Sequence, residues 1–444
     1  MSTLEAVRSA LLQGAGAHID SRAIGRGEVF FALPGRTHHG GEFAAAAWQR
    51  GASWVVLPEG YPPPPEVPHD RIAYHPDPLS FLQEVAAAYR QRFTLPVLAI
   101  GGSNGKTTTK ALIGHLLSSR YAVLVSPKSW NNHLGIPLTL LRLQPNHTLA
   151  VLELGDNHPG EIAALCQLAR PTQGLLTNIG ADHLEGYGDL TTNGATKWEL
   201  VEYLEAQGGT RLFLNGEDAF FQQKVVRGNL EVCYFGQHPA SCAWGRWRAL
   251  DWTRSELEGE VEGEGFRLEV PLWGSFNRLN VLAALAVGKA FGLSLQDMTE
   301  RLKTFSPEAY RSQVLRKGGR VIILDAYNAN PSSLAASLQA LWETLPPSQK
   351  AALILGQMEE LGAWAVKAHQ EVLESLSLHK AQIRGVVLIG PLWELALERL
   401  GGIPYCWYGR VEEVRAGPPP WLEEAEVWYL KGSRAQAVER ILEG

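Results

Sequence analysis

Residues 97–110 read VLAIGGSNGKTTTK. An apolar run leads into a glycine-rich turn, and a helical pattern opens at Lys106. That order suits a phosphate group. Glycines let backbone amides approach oxygens with no Cβ in the way, and the next helix offers its N-terminal amides and partial positive charge. Lys106 adds a cation for the β- and γ-phosphates, and the Thr107 hydroxyl can ligate Mg²⁺. The strict G-x-x-x-x-G-K-[ST] spacing would put its first glycine at Ile100, so the loop is a P-loop variant. Motors, kinases, small GTPases and ligases share such a loop, so it names no reaction by itself.

Partners for the metal come next. Glu153 ends the apolar run of VLELGDNHPGEI. In an open parallel sheet, ligands bind at the carboxyl ends of strands. A carboxylate there can join Thr107 and phosphate oxygens around Mg²⁺, which prefers octahedral oxygen ligands and keeps several waters. Asp156 and His158 read equally as loop residues or as caps of the helix that starts near Pro159. His183, in TNIGADHLEGYG, follows the next strand, which carries it towards Glu153; a lone histidine is more often a structural hydrogen-bonder. Lys197, in NGATKWELVEYL, falls on a helix and alone reads as a surface lysine. An ammonium has no acceptor, so it binds Mg²⁺ only after conversion to an acidic group.

A scaffold must bring these residues to one edge. Apolar strands at 97–100, 122–125, 149–154, 173–177 and 211–214 alternate with helices at 106–119, 159–169 and 194–205. This pattern predicts a parallel sheet covered on both faces. Residues 230–273, rich in Trp and Glu, predict an antiparallel excursion, closed by a helix at 277–291. The alternation restarts after Pro307, with strands at 320–325, 351–356, 385–389, 404–408 and 426–430. Helices fall at 332–342, 364–376, 391–400 and 434–442, completing a second doubly wound unit. Residues 1–76 are glycine-rich and short-stranded; the proline cluster Tyr61 to Pro65 and Pro68 precede a helix at 79–93. The expected class is therefore α/β, in three domains at 1–76, 77–307 and 308–444. The 444 residues, at about 150 per domain, agree.

Composition narrows the function. There are 40 basic and 46 acidic residues, net −6, and no basic block, which argues against nucleic-acid binding. An apolar fraction of 45% with 19% charged residues disfavours disorder. The four cysteines are scattered, without C-x-x-C, and read as reduced thiols of a cytoplasmic protein. Residues 1–20 lack a basic start followed by an apolar run, so no signal peptide is expected. No apolar run approaches the roughly 18 residues of a membrane span. A monomer is expected.

In chain order these pieces resemble the Mur ligase family. Family-wide stretches are DSRAIGRGEVFFALPG at 20–35, GSNGKTT at 102–108, Glu153, TNIGADHLEGYG, Lys197 in ATKWEL, and GSFNRLN at 274–280. Five others resemble the branch that handles D-alanyl-D-alanine: WNNHLGIPLTLL at 130–141, ELGDNHPGEI at 153–162, DAYNANPSS at 325–333, LGQMEELG at 355–362 and KGSR at 431–434. Another branch would show a D-Y-A-H-type stretch in place of DAYNANP, and folylpolyglutamate synthase would not explain the DSR segment. A nucleotide-gated binding protein without catalysis would have no use for Lys106, Glu153, His183 and Lys197 together.

The resemblance implies a small N-terminal domain for the UDP part of the substrate, a central P-loop ATPase domain, and a Rossmann-like C-terminal domain that closes over the site. It implies an ATP-dependent, ADP-forming ligation in peptidoglycan precursor synthesis. The tripeptide carboxylate of UDP-MurNAc-tripeptide would take the γ-phosphoryl of ATP, and the amine of D-alanyl-D-alanine would attack the acyl phosphate. Lys106, Glu153, His183 and Lys197 would form the catalytic set. ATP would be bound by Gly102, Ser103, Asn104, Gly105, Lys106, Thr107, Thr108, Asn277, Asn280, Arg311 and Asp325. Ser21 and Arg22 would contact the uridine nucleotide, and Asn131, Asn132 and His133 the muramoyl-peptide. Asn328 and Asn330 would face the reaction centre, or else form an Asx-turn that caps the next helix. Thr107 and Glu153 would hold one Mg²⁺; Lys197, carbamylated in the family, and His183 would hold a second. Gly101, Thr37–Gly41 and Gln357 depart from the usual family residues. Domain closure would need motion about linkers near 77 and 307.

Overall fold

The computed structural model describes residues 2–35, 37–238 and 240–443, and their strands form three sheets. The first holds Ala17–His18, Val29–Phe31, Trp54–Pro58 and Ile72–His75, all parallel. Helix Pro78–Arg90 follows, with Asp77 capping it and proline at its first position. Its buried face, Phe81, Leu82, Val85, Ala86 and Tyr89, belongs to a core that runs from Val56 and Ala73 of the first sheet to Leu138 and Leu165 beyond it. The buried Arg90 guanidinium also donates to the Ala169 carbonyl at 2.9 Å. The helix that follows the linker near residue 77 therefore shares one apolar core with the first sheet.

The central sheet has nine strands. Val97–Gly101 lies between Leu149–Glu153 and Gln173–Leu176, and all three run parallel. Their carboxyl ends thus place the glycine-rich turn, Glu153 and the 177–183 loop side by side. Strands Ser241–Ala249, Ser255–Val261 and Glu264–Val270 extend the same sheet as an antiparallel meander, but Glu231–Phe235, expected to belong to that excursion, instead continues the parallel part beside Arg211–Asn215. Helix Asn277–Ala290 packs back against helix Lys106–Leu117.

One cysteine expectation is corrected. Cys233 and Cys242 form a disulfide, leaving Cys166 and Cys406 as free thiols. Their separation in sequence concealed a short turn between strand Glu231–Phe235 and strand Ser241–Ala249, which brings the Cα atoms to 5.8 Å. That spacing lies within the range a disulfide requires.

The C-terminal sheet runs Gln313–Lys317, Arg320–Asp325, Val427–Lys431, Ala351–Gly356, Ile383–Ile389, Tyr405–Tyr408. It is parallel except for the first strand, an edge hairpin that sequence reading missed. The hairpin turns at Gly318 and Gly319, both with positive φ, a conformation glycine adopts without steric cost. Helices Pro331–Thr344 and Ala365–Ser377 match expectation, while 391–400 and parts of 434–442 wind as 3₁₀ turns. No helix among the described residues is long and apolar enough to cross a membrane.

Candidate functional site

A cavity of about 1040 Å³ opens where the sheets meet, lined by the phosphate loop, Glu153, Asp182, His183, Asn277, Asn280, Arg311 and Asp325 among others. The loop's backbone is shaped by two glycines. Gly102 has φ +122° and a Cβ there would meet Thr177 Oγ1 at 2.1 Å; Gly105 has φ +82° and a Cβ would meet Asn280 Oδ1 at 2.4 Å. Helix Lys106–Leu117 then starts at the loop. The Lys106 ammonium folds back on the Gly102 and Ser103 carbonyls, inside the turn that a phosphate would occupy. Ser103 and Thr108 complete the lining.

Thr107 and Glu153 meet as the strand order requires, with Thr107 Oγ1 donating to Glu153 Oε1 at 3.2 Å. Asn131 Nδ2 donates to the same oxygen at 2.8 Å. Lys110, which the sequence reading left unassigned, pairs with Glu153 Oε2 at 3.1 Å, both side chains 2% exposed. It falls three residues after Thr107, so a lysine on the same helix face was the available signal.

Lys197 is fully buried rather than at the surface. Its ammonium sits 3.0 Å from Asp156 Oδ2 and 3.7 Å from Asp182 Oδ2, and also donates to Asn193 Oδ1. Asn193 lies one helical turn before Lys197, again on one face. Burial pushes the Asp182 carboxyl up, but Lys197, Lys106 and donors from Ser103 and Asn193 outweigh it and hold it below the usual range. Burial and the neighbouring Asp156, whose Oδ2 accepts from Tyr187, raise the Tyr187 phenol. Asp156 Oδ1 and Asp182 Oδ2 are buried without a hydrogen-bond partner.

His183 lines the cavity with φ +49°. Its Nδ1 lies 2.6 Å from Glu360 Oε2, a close approach without an aligned hydrogen bond. That ring holds the Glu360 carboxyl below its ordinary value. The C-terminal loop carrying Glu360 thus docks on the central domain, where Trp364 Nε1 also donates to the Gly188 carbonyl at 3.1 Å.

Other C-terminal residues reach the phosphate loop itself. Arg311 Nη2 donates to Thr107 Oγ1 at 3.0 Å, and its guanidinium covers the Tyr327 ring at 3.7 Å. Asn330 Nδ2 donates to Asn104 Oδ1 at 2.9 Å, and Asn104 Nδ2 to Ser332 Oγ at 2.9 Å. Asn330 also caps helix Pro331–Thr344, its Oδ1 accepting from Ser333 N at 2.8 Å, which bears out the capping reading of this residue. Asn328 accepts from its neighbour Ala329, and its carbonyl accepts from Lys431 at 3.1 Å. Lys431 pairs with Asp325 at 2.5 Å, while Asp325 Oδ1 accepts from Ser312 N at 3.0 Å.

Asn277 and Asn280 are buried and bonded to each other at 2.9 Å, with Asn280 also tied to Thr109 at 3.1 Å. Asn132 accepts from Leu134 N and Gly135 N, and the His133 carbonyl accepts from Gln83 at 3.0 Å. Ser21 and Arg22 do not line the cavity. Arg22 is paired with Asp20 at 2.8 Å, which lowers the Asp20 carboxyl to about 2.

Two oxygen sets fit a magnesium ion by donor chemistry. Thr107 Oγ1 with Glu153 Oε1 is one, and the unpartnered oxygens of Asp156 and Asp182 beside Lys197 are the other. Among the described residues no three His, Cys, Asp or Glu side chains converge, so phosphate oxygens and waters must complete either shell.

Comparison with known proteins agrees with this geometry. Residues 100–288 match the Mur ligase middle domain, and residues 310–415 match the Mur ligase, glutamate ligase domain. The UDP-N-acetylmuramoyl-tripeptide–D-alanyl-D-alanine ligase of Bacillus subtilis is 31% identical over 367 residues, covering 80% of this chain and 76% of its own. The Escherichia coli ligase of that name is 31% identical over 458 residues, covering 100% and 97%. The crystal structure of MurF ligase from Thermotoga maritima in complex with ADP superposes with TM-score 0.82 at 26% identity, covering 98% of this chain and 97% of that one.

Proposed function

The chain belongs to the Mur ligase family, and we propose that it joins D-alanyl-D-alanine to the tripeptide carboxylate of UDP-MurNAc-tripeptide, with ATP cleaved to ADP and phosphate. The observation that carries this reading is the meeting of Arg311 and Asn330 with Thr107 and Asn104 across one cavity. Phosphoryl transfer to a carboxylate needs positive charge and in-line placement. Loop amides, Lys106 and Arg311 supply both from this chain.

A carboxylate resists nucleophiles because of its charge and resonance. Its oxygen takes the γ-phosphoryl, ADP departs, and an acyl phosphate with a good leaving group results. The dipeptide amine then attacks the acyl carbon, phosphate leaves, and the amine proton is lost. Thr107 and Glu153 would hold Mg²⁺, which when bound offsets phosphate charge. Carbamylated Lys197 and His183 would hold a second ion. That change turns a cation into an oxygen ligand beside the Asp156 and Asp182 oxygens that accept no hydrogen bond.

Asn277 and Asn280 flank the nucleotide, and Asp325 takes the ribose. Asn131, Asn132 and His133 take the muramoyl-peptide. Ser21 and Arg22 take the uridine nucleotide at the far end, outside the cavity. We place domain boundaries after 76 and 307, and the enzyme in the cytoplasm as a monomer.

The test is phosphate release with ATP, UDP-MurNAc-tripeptide and D-alanyl-D-alanine, omitting each in turn. The reading requires all three for sustained turnover. Sustained release without the dipeptide, or with a single amino acid in its place, would overturn it.

A further inference from the structure

Lys110 lies beneath the cavity and does not line it. Its ammonium is buried, yet it carries two contacts of different kinds. One goes to Glu153 Oε2 at 3.1 Å and the other to the Lys128 carbonyl. Glu153 Oε1 is left to Thr107 and Asn131, on the cavity side. The carboxylate is therefore divided: one oxygen is neutralised from below and the other is offered to the phosphate loop. The second contact fixes Lys128, which has φ +46°, at the start of the segment that carries Ser129 and Asn131. Ser129 in turn accepts from Tyr327 of the C-terminal domain.

We propose that Lys110 is a positioning residue that orients Glu153 for the metal and ties it to the 128–131 segment. The inference rests on the reading of Glu153 as a Mg²⁺ ligand. Buried carboxylates that ligate metals depend on such outer partners for orientation, and their loss typically lowers metal affinity by about 10–100-fold. A buried charge left without its partner is also costly, which is why a lysine at this position cannot be a passive filler.

The readout is ADP binding by calorimetry with and without Mg²⁺, in wild type, Lys110→Met, Lys110→Arg and Glu153→Gln. The expected result is that Lys110→Met weakens the Mg²⁺-dependent tightening of ADP by about tenfold or more, while metal-free ADP binding stays within about twofold. Lys110→Arg, which keeps charge and donors, should recover part of the tightening. If Lys110→Met keeps the wild-type tightening while Glu153→Gln loses it, the positioning role is overturned and the ligand role stands. If Glu153→Gln keeps the tightening, the ligand role itself fails and the inference with it. Should Lys110→Met not fold, Lys110→Met/Glu153→Gln, which removes both buried charges, should fold more stably than the single variant. Equal instability of the two would count against coupling. In that case Lys110→Arg carries the binding test, and unchanged Mg²⁺ tightening there overturns the proposal.

Discussion

Arg311 Nη2 donates to Thr107 Oγ1 at 3.0 Å, joining residues 204 positions apart in the chain. The contact links the segment after the central domain to the first helical turn of the phosphate loop. Tyr327 supports the guanidinium from its face at 3.7 Å, a stacking that suits a planar group. Replacing Arg311 with Ala should lower kcat by on the order of 10²-fold, as loss of one preorganised donor to developing charge does. Arg311→Lys should recover little, because an ammonium neither stacks as a plane nor forks. Steady-state kinetics of both variants check this, and full recovery by Lys would show that charge alone suffices.

Lys197 is held by Asp156, Asp182 and Asn193 inside the protein. Lys197→Ala should abolish ligation and leave ATP binding largely intact, because the phosphate loop does not touch this ammonium. In the uncarbamylated, metal-free protein the buried carboxylates would lose their cation, so its unfolding free energy should fall by about 3–5 kcal/mol. Urea denaturation and nucleotide titration separate the two effects. Near-normal turnover would sink the role of Lys197 at the second metal.

Much of this site was legible because strand order and loop chemistry are local. A glycine-rich turn after one strand and Glu153 at the end of its neighbour must meet once the sheet is parallel. Contacts between distant segments were harder to read. Asn193 and Lys110 declare themselves only through helical spacing to Lys197 and Thr107, and each looks like an ordinary helix residue otherwise. Asn104 bonds Asn330 and Ser332 only because two domains pack, which no local pattern encodes. The edge hairpin at Gly318–Gly319 was readable from its turn residues and was missed beside the stronger alternation that follows.

The Cys233–Cys242 disulfide closes a short loop in the central sheet, two residues before Phe235 of the cavity wall. Denatured, non-reduced protein should show two alkylatable thiols, Cys166 and Cys406. The chain-entropy model gives about 2–3 kcal/mol for a loop of this size. Replacing both cysteines with serine should lower stability by that amount, as thermal and urea unfolding would show. Four alkylatable thiols in the purified protein would refute the bond.

His369 gives a pH dependence of defined sign. Its ring is buried, with Nδ1 donating to the Ala365 carbonyl at 2.7 Å and Nε2 accepting from Met358 N at 3.0 Å. Trp393 meets it edge-on at 4.4 Å. Burial lowers its pKa below 6.5, although the Ala365 carbonyl and Glu359 oppose the shift. The unfolded chain takes up this proton near pH 6.5, while the fold resists until a lower pH. Across that window the unfolded state binds more protons, so stability is full above about pH 6.5 and declines as pH falls towards the folded value. A proton on Nε2 would remove the acceptor for Met358 N, and with it the anchor of the loop that brings Glu360 to His183. Wild type should therefore lose more stability between pH 7.5 and 5.5 than His369→Gln, whose amide can still accept and donate without titrating. Urea unfolding at both pH values measures the difference, and identical slopes for the two proteins would remove His369 as its cause.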